Sequence, residues 1–302
     1  MRNPDFPNWK HILAMAGIYF AGSMIAGIPL AIVMMFDLIG GGMENLDFES
    51  LAMADPETVV DPRWISHFAP FMGAFPLILA SLYGWQRLGK PKIRFGFGNV
   101  SPATGLLSVL GTLLIANGVT IIAEFLPGYD SFVKAMEQML VPGIGMAIAI
   151  IIGAPLFEEL LFRGIILRGY LRKRKPWVGI LFSGLLFGAL HILPVHVFFA
   201  SIVGIALGYV YYRTRSLGLV ILIHFINNGL SYLLSQLGYS GTTTEMTGLG
   251  TGSVVGLSVL LTALGVGALY LLERFPLVPA PPEDQPEAAP DTSEALANRS
   301  AA

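Results

Sequence analysis

Cysteine is absent from the 302-residue chain, which excludes disulfides, thiolate metal sites and cysteine nucleophiles. Charged residues are also scarce, at 13% of the sequence, whereas a typical soluble domain has about 25%. The formal net charge of −2 gives the chain no basic excess that would indicate nucleic-acid binding. What remains is apolar, with 54% hydrophobic residues and a mean hydropathy of +0.67. This composition predicts a polytopic membrane protein.

Apolar runs long enough to cross a bilayer recur along the chain and predict an all-α bundle of about eight transmembrane helices. The first run is too long for the core of a signal peptide, so we expect a retained span. Pro142 and Pro155 are expected to break or kink the fourth and longest run. The predicted spans cover about residues 11–35, 64–85, 104–126, 139–171, 177–193, 196–212, 217–237 and 253–272.

The distribution of basic residues predicts the orientation. Basic groups at the N-terminus, in residues 86–94 and 172–175, and near Arg215 and Arg274 alternate with acidic or neutral connections. Because cytoplasmic loops carry the excess of Lys and Arg, eight spans with both termini in the cytoplasm satisfy every connection. We expect residues 1–274 to form the membrane domain. Residues 275–302 read as a disordered cytoplasmic tail rich in Pro, Ala and acidic residues.

Three ionisable residues lie within six positions of the fourth predicted span: Glu158, Glu159 and Arg163. Ionisable groups are costly in a bilayer, so they indicate a functional site with partners nearby. Glu159 and Arg163 are four residues apart and share a helix face, which predicts an ion pair. Glu158 points about 100° away from that face. It is therefore the better candidate for a catalytic base.

Two later spans carry further polar residues: His191 in the fifth, and His224 with Asn228 in the seventh. Counted from the basic ends of their spans, Glu158 and His191 lie about 21 Å deep and Asn228 about 17 Å. The groups can meet if the three helices are neighbours. We predict that His191 shares a water molecule with Glu158. His224 and Asn228, one turn apart, would donate two hydrogen bonds to an oxyanion.

These three motifs together resemble the CAAX protease and bacteriocin-processing family, the type II CAAX prenyl endopeptidases. The motifs are Glu158-Glu159-x-x-x-Arg163, Phe187-x-x-x-His191 and His224-x-x-x-Asn228, which span about a quarter of the chain. The resemblance implies a glutamate-dependent intramembrane protease with a membrane-embedded cavity. It gives Glu158 and His191 the activation of water, His224 and Asn228 the oxyanion hole, and Glu159 and Arg163 a supporting role.

The resemblance implies no cofactor, and its partners would be membrane lipids and a peptide or protein substrate, prenylated in some members. Its many prokaryotic members imply a prokaryotic plasma membrane. Neither the substrate nor the oligomeric state is determined by the sequence.

Other interpretations of the same polar cluster remain open. Glu158, His191 and His224 could ligate a catalytic zinc ion, although no His-Glu-x-x-His motif occurs. A transporter or proton relay also uses intramembrane Glu and His, although no internal repeat is visible. A non-catalytic scaffold could retain the motif, or the residues could only hold helices together.

Overall fold

The computed structural model describes residues 6–40, 62–239 and 241–284. Within these ranges the chain forms ten helices and no strand, which confirms the predicted all-α bundle. Short 3₁₀ turns follow at Leu271–Arg274 and Pro282–Asp284. The helices are α1 Trp9–Gly40, α2 Pro62–Arg87, α3 Pro102–Ala123, α4 Tyr129–Met139, α5 Ile144–Leu171, α6 Pro176–Ala189, α7 Pro194–Thr214, α8 Leu217–Gln236, α9 Thr243–Thr247 and α10 Thr251–Tyr270.

Seven of these helices are long and apolar enough to cross a membrane. The chain is therefore an integral, multi-pass membrane protein. The predicted fifth span is shorter than expected, because α6 has 14 residues and ends at Ala189. Such a helix rises about 21 Å, whereas the hydrocarbon core is about 30 Å thick. His191 consequently lies in the turn between α6 and α7 and not inside a helix.

Helix α4 lies between the third and fourth predicted spans, where no helix was predicted. Its apolar residues Phe132 and Val133 pack beside Val195 at the start of α7. Asp130 and Lys134 are exposed. The apolar side chains of this segment recur every three or four residues, which is the spacing of one helix face. The helix was not predicted because the segment is too short to cross a bilayer.

Helix α5 runs through Pro155 without a break, and Pro142 precedes its first residue. Two π-helical segments, Ile148–Gly153 and Leu160–Leu167, flank the α-helical turn Ala154–Glu159 that carries both glutamates. Such π-helical segments are rare and frequently occur at functional sites.

Glycines bring α6 and α7 into close contact, and each helix carries them in a Gly-x-x-x-Gly pattern, at 184 and 188 and at 204 and 208. A Cβ atom added at Gly184 would lie 2.7 Å from the backbone nitrogen of Ile205, and one at Gly188 would lie 2.8 Å from that of Ser201. From the other side, a Cβ at Gly204 would lie 3.0 Å from the carbonyl oxygen of Gly184. The backbones therefore touch, as small residues allow in membrane helix pairs.

Replacing Gly188 with Ala is expected to lower the free energy of unfolding by about 1–3 kcal/mol, because the added methyl group overpacks a backbone contact. The matched control is Gly267→Ala in α10, where an added Cβ meets no atom within 4 Å. That control should leave stability unchanged or slightly raised. Denaturant titration in detergent measures both variants, and equal stability of the two would contradict this packing.

One end of the bundle collects the basic residues, and we call it the basic end: Leu88–Lys92 after α2, Arg168 and Arg172 at the end of α5, and Arg213–Arg215 at the end of α7. Arg168 Nη1 donates to the carbonyl of Lys92, and Arg172 Nη1 to that of Leu88, both at 3.0 Å. These bonds join the connections that the sequence predicts to be cytoplasmic.

The beginning of the predicted tail packs against the basic end. Val278 N–H donates to the carbonyl of Arg213, and the buried carboxylate of Asp284 accepts from Arg168 and Arg172. Residues 285–302 lie outside the described ranges. The division into a membrane domain and a tail stays a prediction, but residues 275–284 make specific contacts with the bundle.

Candidate active site

Glu159 is the centre of the polar cluster. It is fully buried, and its Oε1 atom lies 2.9 Å from Arg163 Nη1 and 2.9 Å from His224 Nδ1. The ion pair with Arg163 that the i,i+4 spacing predicts is therefore present. The contact with His224 on α8 was not predicted, because sequence spacing says nothing about pairs on different helices.

Arg163 is also fully buried, and it joins three helices. Nη2 donates to the carbonyl of Gly204 on α7 at 2.7 Å. Its guanidinium carbon lies 4.7 Å from the ring centroid of Phe187 on α6. Among the described residues, Arg163 Nε and Glu159 Oε2 have no hydrogen-bond partner. Two buried polar atoms of this ion pair therefore lack a hydrogen bond. Burying such a pair costs desolvation free energy, so a contribution to folding stability does not by itself explain its presence.

Glu158 differs from its neighbour in exposure and in partners. Its side chain is 18% exposed, and Oε2 lies 3.9 Å from His224 Nε2, beyond direct hydrogen-bond distance. The two ring nitrogens of His224 thus face the two glutamates, with Nδ1 bonded to Glu159 and Nε2 directed at Glu158. A carboxylate bonded to one nitrogen of an imidazole orients the ring and stabilises its protonated form.

While Nδ1 of His224 donates to Glu159, a second hydrogen bond donated by Nε2 requires hydrogen on both ring nitrogens.

Asn228 compensates for the proline in α5. In the π-helical segment, Ala154 N–H donates to the carbonyl of Ala149, so the next bond in the series would run from residue 155 to Ile150. Pro155 has no N–H, which leaves the Ile150 carbonyl free. Asn228 Nδ2 donates to that carbonyl at 3.1 Å. Its amide retains a second N–H, so Asn228 can hold α5 and still donate elsewhere.

Replacing Asn228 with Ala is expected to lower the free energy of unfolding by about 0.6–1.7 kcal/mol, the range for hydrogen bonds between membrane helices. The loss should be smaller in a Pro155→Ala background, because the alanine introduced there supplies an N–H for the Ile150 carbonyl. Denaturant titration of wild type, both single variants and the double variant measures the coupling. Equal losses in the two backgrounds would contradict this role.

His191, in the turn after α6, is hydrogen-bonded to the last part of that helix. Its Nδ1 atom lies 3.0 Å from the carbonyl of Phe187, one turn earlier, so Nδ1 donates and Nε2 remains available. Its ring centroid lies 4.1 Å from that of His196 on α7. The shared water with Glu158 stays a prediction.

The structure thus brings Glu158, Glu159, Arg163 and His224 into one cluster, with Asn228 one turn further along α8. Sequence reasoning missed the part that Phe187 has in it. Its ring packs against His191 and His224, at centroid distances of 5.1 and 5.7 Å, besides the Arg163 guanidinium. The signal was present, because Phe187 belongs to the motif that contains His191.

Among residues 6–40, 62–239 and 241–284, no three His, Asp or Glu side chains form a group that could hold a metal ion. Glu158, His191 and His224, the zinc ligands of the alternative hypothesis, do not form such a group. His224 instead uses Nδ1 for Glu159.

Comparison with known proteins agrees with the resemblance seen in the sequence. Residues 140–230 match the family described as type II CAAX prenyl endopeptidase, Rce1-like. This segment runs from just before α5 into α8 and contains every candidate site residue. No curated protein and no solved structure matches the chain.

Proposed function

Since residues 140–230 match the Rce1-like type II CAAX prenyl endopeptidases, we propose that this protein is an intramembrane endopeptidase whose water is activated by Glu158. The observation that carries the proposal is the unequal use of the two glutamates. Glu159 Oε1 is occupied by Arg163 and His224. Glu158 is partly exposed and faces His224 Nε2 across 3.9 Å.

In the proposed reaction, Glu158 removes a proton from water as its oxygen attacks the carbonyl carbon of the scissile bond. The carbonyl oxygen becomes an oxyanion, which accepts hydrogen bonds from His224 Nε2–H and from the second N–H of Asn228. The proton on Glu158 then passes to the leaving nitrogen as the C–N bond breaks, which restores the carboxylate. His191 is proposed to accept a hydrogen bond from the water through Nε2.

Glu159, Arg163 and Phe187 position these groups. Glu159 holds the ring of His224, and Arg163 places a guanidinium beside Glu159 in a fully buried position. Phe187 packs against both the His224 ring and the guanidinium, so it limits their movement. A preorganised donor of this kind needs no reorientation as the oxyanion forms.

The proposed substrate is a peptide or protein cleaved near its C-terminus, with a prenyl group as one candidate feature. The proposed topology has both termini in the cytoplasm. It places the basic end at the cytoplasmic surface.

The test is to incubate the protein in proteoliposomes with prenylated CAAX peptides and with total membrane protein, and to identify products by mass spectrometry. Wild type should give products that Glu158→Ala does not. Glu137→Gln removes an exposed carboxylate on α4 and should cleave normally. Cleavage by Glu158→Ala, or no product from wild type in either mixture, would refute the proposal.

A further inference from the structure

A cleft with cationic walls opens at the basic end of the bundle. Lys92 and Arg94 line it from the connection after α2, Arg168 from α5, and Tyr211 and Arg215 from the end of α7. The proposed reaction uses none of these side chains. Four cationic side chains around one cleft repel each other, so their arrangement indicates that the cleft receives an anion.

One carboxylate of the chain itself is held beside this cleft by two arginines. Asp284 Oδ2 accepts from Arg168 Nε at 2.6 Å, and Oδ1 accepts from both Nε and Nη2 of Arg172. The carboxylate is buried, with 5% exposure. One carboxylate at the edge does not balance the cations that line the cleft.

Arg215 supplies a donor that the fold leaves unused. It follows α7 in the left-handed conformation, with φ of 50°. Its Nε atom is buried and, among the described residues, has no hydrogen-bond partner. A buried donor without a partner costs free energy comparable to a lost hydrogen bond, and a bound anion would recover it.

The cleft lies where α5 ends and α8 begins. Arg168 is within one turn of the end of α5, and Leu217, which also lines the cleft, is the first residue of α8. Membrane-spanning helices begin and end at the interface between hydrocarbon and headgroups. Basic pockets between transmembrane helices at this level suit anionic phospholipid headgroups.

We propose that the cleft lined by Lys92, Arg94, Arg168 and Arg215 binds a phosphate group, that of an anionic phospholipid such as phosphatidylglycerol or of a soluble phosphate. Arg guanidinium groups bind phosphate through paired N–H donors, as Arg172 binds Asp284 here. Asp284 at the edge lowers the net positive charge of the site. It therefore weakens binding of the anion without closing the cleft.

The experiment titrates the detergent-solubilised full chain with short-chain phosphatidylglycerol, phosphatidylcholine or inorganic phosphate, and follows the thermal unfolding midpoint. A ligand that binds the folded state raises that midpoint. Phosphatidylglycerol should raise it more than phosphatidylcholine does. Excess inorganic phosphate added with phosphatidylglycerol then assigns the source. Competition indicates a site that takes soluble phosphate, and its absence a site for the lipid.

Two double variants with equal charge change separate the cleft from the general basic surface. Lys92→Gln/Arg94→Gln removes two cleft cations and should weaken binding about 30-fold, at roughly 1 kcal/mol for each charge. Arg174→Gln/Lys175→Gln removes two exposed cations outside the lining and should weaken it far less. Asp284→Asn should tighten binding about five-fold by the same charge effect.

Equal losses in the two double variants would overturn the proposal, because they would indicate diffuse attraction to the surface. No preference for phosphatidylglycerol over phosphatidylcholine, together with no effect of phosphate, would overturn it as well. Midpoints without lipid show whether each variant is folded. The result does not depend on protease activity, so failure here and failure of the proposed function are distinguishable.

Discussion

Replacing Glu158 with Gln is expected to lower kcat for peptide cleavage about 10²–10⁴-fold, the usual contribution of a general base. An amide at this position keeps the size of the side chain but cannot accept the proton of water. The stability of the protein should change little, because Glu158 is partly exposed and lies 3.9 Å from His224 Nε2. Steady-state cleavage of an identified substrate and the thermal unfolding midpoint together measure the effect.

Glu159→Gln is the matched comparison at the neighbouring position. It should lose both activity and stability, because Glu159 bonds Arg163 and orients His224 from a fully buried site. A Glu158→Gln variant that unfolds as readily as Glu159→Gln, or that retains full activity, would contradict the separation of the two roles.

Replacing Arg163 with Leu is expected to destabilise the protein by about 3–5 kcal/mol, because it leaves the buried charge of Glu159 without its main counter-charge. The variant also loses the donor to the Gly204 carbonyl on α7. Denaturant titration in detergent measures the change. Glu273→Gln serves as the control. The Glu273 side chain is 50% exposed and pairs with Arg213, and ion pairs at exposed positions contribute less than about 1 kcal/mol.

The double variant Glu159→Gln/Arg163→Leu should be more stable than the sum of the two single changes indicates, because it removes both charges. A coupling free energy above about 1 kcal/mol is expected for residues in direct contact. Additive losses would show that the pair does not act as a unit. Activity should be absent in both single variants and in the double variant. Glu159→Gln removes the carboxylate that orients His224, and Arg163→Leu removes the counter-charge of that carboxylate.

The candidate site could be located from sequence because ionisable residues are so rare in apolar helices. Glu158, Glu159 and Arg163 stand out for that reason, and the i,i+4 rule alone predicts the bond between Glu159 and Arg163. The contact of Glu159 with His224 could not be predicted from the sequence, since it joins residues 65 positions apart on α5 and α8. Such a pair depends on how helices cross, which local spacing does not encode.

The difference between local sequence features and contacts between distant residues also explains which parts of the fold could be predicted. Long apolar runs predict membrane spans because the bilayer thickness sets a minimum length, and seven helices meet it. The predicted span was longer than the helix α6, because the apolar residues Leu190, Ile192 and Leu193 continue the run. The backbone leaves the helical conformation there and has a φ of 63° at Ile192. Apolarity reports burial in lipid or protein, but it does not report where a helix ends.

What the sequence determined by itself is a bundle of membrane helices and a small set of acidic and imidazole side chains in its predicted spans, since hydropathy and helical periodicity are local properties. Only the tertiary structure decided which carboxylate bonds His224 and which one remains partly exposed and without a direct hydrogen bond to it. Pro155 and Asn228 illustrate the reason. The proline removes one backbone donor by its covalent structure, but only the packing of α8 against α5 places an amide where the freed carbonyl needs it.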